Sequence, residues 1–289
     1  MIKTVHIVYF SGTGGTALVA AGLANAFAGL GIGVSKTQLG KAEQKEDVAA
    51  DLLVLLYPVY IMTSPKPVDE WIASSATVKN IPAAVISVSG GGEVSPNTAS
   101  RVAAIKKLVQ KGYDVFYENM LIMPANVFVS LNDDLAAMLL RAVPGKTKKV
   151  ASEMLSAKRV RKKPLIWDYL FACLGELEKK HSRSFAKRLK VNDSCTGCGW
   201  CRSNCPRGNI TIEDSKPVWG KDCVNCFRCI YGCPAQAIST SGFAKKLVLK
   251  NGFDLLLLQQ RTQHITEFPP VEQIAKGRLL KNLIKYLRD

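Results

Sequence analysis

The chain has 289 residues, of which 47% are hydrophobic, and 39 Lys and Arg against 23 Asp and Glu give it a formal charge of +16. That length suits about two domains with a buried core. No stretch approaches the roughly 18 uncharged apolar residues of a membrane span. The opening MIKTVHIVYFSGTGGT has a short alternating apolar run ending in glycines, which predicts a first strand and not a signal peptide, so the cytoplasm is the expected location.

The charge is unevenly placed: residues 1–140 carry −1, 141–190 carry +11, 191–242 carry +1 and 243–289 carry +5. Such a basic middle and tail favour an acidic redox protein or an anionic membrane surface as partner. Nucleic acid is not expected, because the basic stretch holds no recognition motif.

Residues 1–150 read as alternating strands and helices. Strands are predicted at Thr4 to Phe10, Gly33 to Leu39, Asp51 to Tyr57, Ala83 to Ser89 and Asp114 to Met123, with helices at Gly14 to Ala28, Pro67 to Ser75 and Asn97 to Gln110. These βαβ units imply an α/β doubly wound parallel sheet that binds ligands at the carboxyl ends of its strands.

After the first strand, Ser11, Gly12, Thr13, Gly14, Gly15 and Thr16 open into a helix whose free N–H groups and dipole favour a phosphate. A P-loop is excluded by the missing Gly-Lys-Ser/Thr. Gly12, Gly14 and Ala17 fit a dinucleotide spacing, but no acidic residue ends the second strand to hold a ribose. The three hydroxyls suit a terminal monophosphate, as in FMN. Two further loops leave strand carboxyl ends: Pro58, Val59, Tyr60, Ile61 and Met62, then Ser89, Gly90, Gly91 and Gly92. Tyr60 either stacks on a flavin or is a packed aromatic, and the glycines either bring amides to the ring or form a flexible connection.

Asn132 or Asp133 is expected to cap a helix to Arg141, and Pro144 to begin another running towards Arg159. Residues 151–190 form a basic connector, broken at Lys158 to Lys163. Within it Trp167, Leu170, Phe171, Leu174 and Leu177 share an apolar face expected to pack between the two domains rather than on a membrane.

Residues 191–242 hold eight of the nine cysteines in two matching runs, Cys195-Thr-Gly-Cys198-Gly-Trp-Cys201-Arg-Ser-Asn-Cys205-Pro and Cys223-Val-Asn-Cys226-Phe-Arg-Cys229-Ile-Tyr-Gly-Cys233-Pro. Each is C-x2-C-x2-C-x3-C-P. Three closely spaced thiolates wrap one face of a 4Fe-4S cluster, while the fourth is carried towards the other cluster. Crossed ligation is therefore expected: Cys195, Cys198, Cys201 and Cys233 on one, Cys223, Cys226, Cys229 and Cys205 on the other. Zinc is the alternative, but it usually takes separated C-x2-C pairs, often with His. Cys173 is expected to be a buried inert thiol.

In the tail, residues 243–289, Lys246 to Leu258 is open between a hairpin at Asn251-Gly252 and a helix, and Val271 to Leu287 predicts an amphipathic helix with Ile274, Ala275, Leu279, Leu283 and Leu287 on one face.

Together, the Ser11 to Thr16 loop, Pro58-Val59-Tyr60 and the paired cysteine runs resemble the flavodoxin-ferredoxin fusion proteins of anaerobic bacteria and archaea, the EFR-family ferredoxins. Gly15 stands where that family usually has Asn. The resemblance covers residues 1 to about 127 and 191–240. It implies a flavodoxin-like FMN domain, a small α+β module with two 4Fe-4S clusters, and an electron carrier that adapts between redox partners. Two other readings are a flavin-dependent reductase acting on a quinone or corrinoid, and a membrane-peripheral redox subunit. The residues show no acid, base or nucleophile constellation for the former.

Overall fold

Strands buried on both faces read as continuous apolar runs, and here successive side chains feed two separate cores. The computed structural model describes residues 2–40, 49–180, 183–275 and 280–289. Its first half contains β1 (Thr4–Phe10), α1 (Gly15–Ala28), β2 (Gly33–Leu39), β3 (Leu52–Pro58), α2 (Lys66–Ser74), β4 (Ile81–Ser89), α3 (Val102–Gln110) and β5 (Tyr113–Ile122). All pairings are parallel and the order is β2-β1-β3-β4-β5. That order is the flavodoxin-like one, with its topological switch point between β1 and β3. Val5, Ile7, Leu52, Val54 and Leu56 face the core under α1 and α4 (Asp133–Leu155); Val8, Phe10, Leu53, Leu55 and Tyr57 face the core under α2 and α3.

Predicted boundaries differ from these by a residue or two except at α3, which begins at Val102 rather than Asn97 because residues 97–101 form turns. The two helices expected around Pro144 are one. Asn132 caps α4 by accepting from the Leu135 N–H at 2.9 Å, and Pro144 lies inside it. Packing offsets the bond lost to proline: Val143 and Thr147 seat against Gly22 of α1, where a Cβ would come within about 3 Å of them. The basic stretch after α4 is held against the exposed edge of β5. Val160 pairs with Tyr117, Arg159 bridges Asp114 at 2.6 Å and Arg161 bridges Glu118 at 3.0 Å, which covers a sheet edge.

Next come α5 (Ile166–Lys180), α6 (Arg183–Ala186), β6 (Leu189–Val191), α7 (Trp200–Asn204), β7 (Ile210–Glu213), β8 (Lys216–Trp219), α8 (Arg228–Tyr231) and β9 (Ile238–Thr240). Strands β6 and β9 pair antiparallel, as do β7 and β8, around a third core of Phe185, Ile210, Phe227, Ile230 and Ile238. Contrary to expectation, the Trp167 to Leu177 face of α5 is not packed between the two regions; all five of its residues are exposed. Cys173, on the same helix, is exposed rather than buried.

The tail forms α9 (Ala244–Leu247), α10 (Leu255–Thr262), α11 (Val271–Ile274) and α12 (Lys281–Arg288). Asn251-Gly252 turns between helices and makes no hairpin; Gly252 supplies the left-handed φ of +71° and Asp254 caps α10 through the Leu257 N–H. The single helix expected from Val271 to Leu287 is two, because Ala275 leaves helical geometry with ψ +59°. Its intended face still points inward through Ala275 and Leu283, while Leu279 lies outside the described residues. Among the described residues no helix is long and apolar enough to cross a membrane.

Candidate functional site: a glycine loop against the cysteine runs

The N-cap residue of helix α1 has no side chain to offer the first turn. Gly14 takes its N-cap position at φ +102°, a left-handed geometry that leaves N–H groups of the first turn directed out of the helix end. Ser11 is buried and its Oγ accepts from the Ala17 N–H at 3.2 Å. Thr13, Gly14 and Gly15 are half-buried, Gly15 lying beside Met123, and Thr16 is buried. Asn126, which follows β5, donates from Nδ2 to Thr13 Oγ1 at 2.9 Å.

After β3, Val59 hydrogen-bonds the Val88 carbonyl at 2.8 Å and Tyr60 pairs with Thr63 across a tight turn. Ile61 and Met62 form that turn at φ +47° and +60°. Left-handed backbone is costly for bulky residues and collects at sites whose geometry is imposed by their surroundings. The turn projects Tyr60 back onto the glycine loop. Its ring meets Phe10 edge-on at 6.2 Å, and its hydroxyl rests on Gly12, where an added Cβ would come 2.0 Å from the oxygen. Tyr60 is thus anchored between β1 and the glycine loop. Burial first, then the neighbouring Cys226, pushes its hydroxyl pKa well above the ordinary value.

The glycines after β4 are not a flexible connection. Ser89 Oγ accepts from the Gly92 N–H at 2.8 Å, Gly90 lies against Ala125, and Asn282 of α12 donates to the Gly91 carbonyl at 3.1 Å. Glu93, next in the loop, is held by the fully buried Arg101 at 2.7 Å, and Arg101 also binds Glu118 at 2.8 Å.

The cysteine runs adopt matching geometries. Gly197 and Gly199 in the first have φ of +68° and +73°; Asn225 and Phe227, at the corresponding positions of the second, have +56° and +60°. The fourth cysteines match too, Cys205 Sγ accepting from the Asn209 N–H at 3.4 Å and Cys233 Sγ from the Ala237 N–H at 3.3 Å. Cys233 lines one cavity with Cys195, Cys198 and Cys201, closed by Ile212 and Pro217. Cys205 instead lies near Cys223, Cys226 and Cys229 and raises the pKa of each as a like charge.

Burial is the larger cause at these three thiols and pushes Cys223 up to about 11 and Cys226 up to about 12. Backbone N–H groups of Asn225 and Arg228 oppose it by bonding the sulfurs of Cys223 and Cys226. Thiolates here therefore need a bound cation to hold their charge. The buried Trp219 indole N–H has no hydrogen-bond partner of full geometry, and the group it faces is the Cys229 sulfur. Such a donor suits a sulfur-ligated cluster, whose sulfurs accept weak hydrogen bonds. Among the described residues no three His, Cys, Asp or Glu side chains converge closely enough to hold a single metal ion.

The two parts of the site share one core. Val224 and Cys226 are buried among Val8, Phe10 and Leu39 under the sheet. Gly12 touches both Tyr60 and Cys226: an added Cβ would meet the Cys226 Cβ at 2.8 Å. Asp222 binds Lys66 of α2 at 2.5 Å and also Arg207, which reaches Glu70 at 2.9 Å. On the other side Tyr231 donates to the Asn126 carbonyl at 2.6 Å, so Asn126 links α8 to Thr13. Sequence reasoning missed Asn126, Trp219, Asn282 and Leu255, the last of which packs on Gly14. Only for Asn282 and Leu255 did a glycine, Gly92 and Gly14, hint at a close neighbour.

No family model matches the chain. Two uncharacterized proteins of Methanocaldococcus jannaschii are each 30% identical to it, over 83 and 73 residues, or 29% and 25% of this chain. The chain spans only 34% and 28% of the length of these curated relatives. Among solved structures, a flavodoxin from Streptococcus pneumoniae is 14% identical with a TM-score of 0.40, covering 53% of this chain and 98% of its own. Flavodoxin 2 from Bacillus cereus gives 14% and 0.41 with the same coverage, and Megasphaera elsdenii flavodoxin 20% and 0.33, covering 50% of this chain and 98% of its own. The assignment of residues up to β5 to a flavodoxin-like fold rests on the strand order β2-β1-β3-β4-β5.

Proposed function

We propose that the chain is an electron-transfer protein holding two 4Fe-4S clusters and FMN, and that it serves as an adapter between redox partners in anaerobic metabolism. One cluster would take Cys195, Cys198, Cys201 and Cys233, the other Cys223, Cys226, Cys229 and Cys205. FMN would take the Ser11 to Thr16 loop for its phosphate, with Pro58 to Met62 and Ser89 to Gly92 beside the ring. Bound clusters supply one-electron exchange and a flavin accepts one or two, so the pair converts between carriers.

The contact of Gly12 with both Tyr60 and Cys226 carries this reading, because it brings the phosphate-type loop and a cluster-type cysteine to one place. The glycine N-cap of α1 and the Trp219 indole facing Cys229 support the two groups separately. Net basic charge suits an acidic redox protein as partner.

Anaerobically prepared protein, assayed for iron, sulfide, zinc and flavin, tests the proposal. About eight irons and about one FMN per chain are expected. Zinc in place of iron overturns the cluster assignment, and protein that cannot be reconstituted with flavin reduces the sheet region to a docking scaffold.

A further inference from the structure

Helix α5 is docked by its polar side. Asp168, Ala172, Gly175, Glu176 and Lys179 form one stripe along it, and this stripe faces the protein. Asp168 is fully buried and accepts from Ser95 Oγ at 2.6 Å, the Thr98 N–H at 3.1 Å and Thr98 Oγ1 at 2.5 Å. Lys179 binds Asp69 and Glu176, both at 2.5 Å. Gly175 lies so near the Ile61 carbonyl that a Cβ would come within 2.0 Å of it, which locks the helix against rotation. The opposite side carries Ile166, Trp167, Leu170, Leu174 and Leu177, exposed by 79, 73, 58, 50 and 53%.

We propose that this outward face is a docking surface for an anionic lipid bilayer, with α5 lying in the plane of the interface. An amphipathic helix on a water-facing surface turns its apolar stripe inward; here satisfied, specific polar contacts hold the reverse orientation. Along the chain exposed cations stand on both sides of the helix, Lys162 and Lys163 before it and Lys187, Arg188 and Lys190 after it, within a segment carrying +11 between residues 141 and 190. A row of aliphatic and aromatic side chains between basic flanks matches the acyl boundary and anionic headgroups of a bilayer surface. Trp167, the polar-tipped aromatic of the face, suits that boundary. Self-association through the face would bring two such basic segments together, which like-charge repulsion opposes. This inference is independent of whether the glycine loop holds a flavin.

The test is flotation of the cluster-loaded protein with vesicles of phosphatidylcholine alone or mixed with phosphatidylglycerol, at low and high salt. Flotation with the mixed vesicles at low salt, weakened by salt, is expected. Lys162→Glu with Lys163→Glu should weaken it by at least about thirty-fold, given the usual contribution of each lost cation. Trp167→Glu with Leu170→Glu should abolish it, and because both side chains are mostly exposed, circular dichroism and cluster absorbance should stay unchanged. No flotation at low salt overturns the proposal. So does flotation that survives the apolar substitutions, which would mean electrostatic adsorption alone. A dimer in sizing experiments that the Trp167 and Leu170 changes dissociate, without vesicle binding, would assign the face to a second copy and also overturn it.

Discussion

Tyr60 lays its hydroxyl on the Cα of Gly12, closely enough that a methyl group there would come 2.0 Å from the phenolic oxygen and 2.8 Å from the Cys226 Cβ. Gly12→Ala should therefore destabilise the protein by about 1–3 kcal/mol through overpacking. Tyr60→Phe removes the nearest clashing atom, so the double variant should recover part of the loss. Urea unfolding of the four proteins measures the coupling, and additive effects would show that the two side chains do not share this space.

Arg101 is buried between Glu93, Glu118 and Ser87, whose Oγ accepts from it at 3.0 Å. Arg101→Met leaves Glu118, whose side chain is 6% exposed, with Arg161 and the Lys162 N–H on one oxygen and nothing described on the other. Breaking a buried pair from one side costs about 3–5 kcal/mol, and a drop in the urea midpoint of that order is expected. Hydrogen exchange in the Ser89 to Glu93 loop should rise in the same variant.

Glu176 couples α5 docking to pH. Burial disfavours its charge, but hydrogen bonds from Lys179 and Thr63 and the charges of Lys179 and Lys107 outweigh it, holding the carboxyl below the ordinary glutamate value of 4.5. A depressed folded pKa stabilises the fold above the unfolded value, and that contribution is lost as pH falls through the folded one. Amide exchange of α5, corrected for its intrinsic pH dependence, should accelerate below about pH 4.5. Glu176→Gln should flatten that dependence; an equal slope in both proteins would assign it to another group.

Ile61 and Met62 occupy left-handed backbone that Asn-Gly adopts readily. Replacing them with Ile61→Asn and Met62→Gly should raise stability by about 1 kcal/mol or more, read as a higher thermal midpoint. A lower midpoint would mean that side-chain contacts of Ile61 or Met62 outweigh the relieved strain.

Most of the sheet was legible because its information is local. Leu52 to Pro58 is apolar at nearly every position, as a strand buried on both faces must be, and Gly29 to Gly33 marks the break between α1 and β2. The two cysteine runs were equally plain, since cysteine spacing is a property of the chain itself. Pro144 misled, because the packing of Val143 and Thr147 on Gly22 outweighs proline's preference for a helix start. Val271 to Leu287 misled for the opposite reason: periodicity records which side faces the core and is blind to a break at Ala275.

The sequence by itself determined the parallel sheet, the glycine loop after β1 and the matched spacing of the cysteines, all set by contacts within a few residues or by side-chain alternation. Only the tertiary structure decided that Cys226 and Tyr60 meet at Gly12 and that α5 turns its apolar side outward. The first depends on three segments distant in the chain packing into one core. The second depends on buried partners for Asp168 and Glu176, whose polar contacts hold the helix in an orientation opposite to the one its apolar periodicity favours.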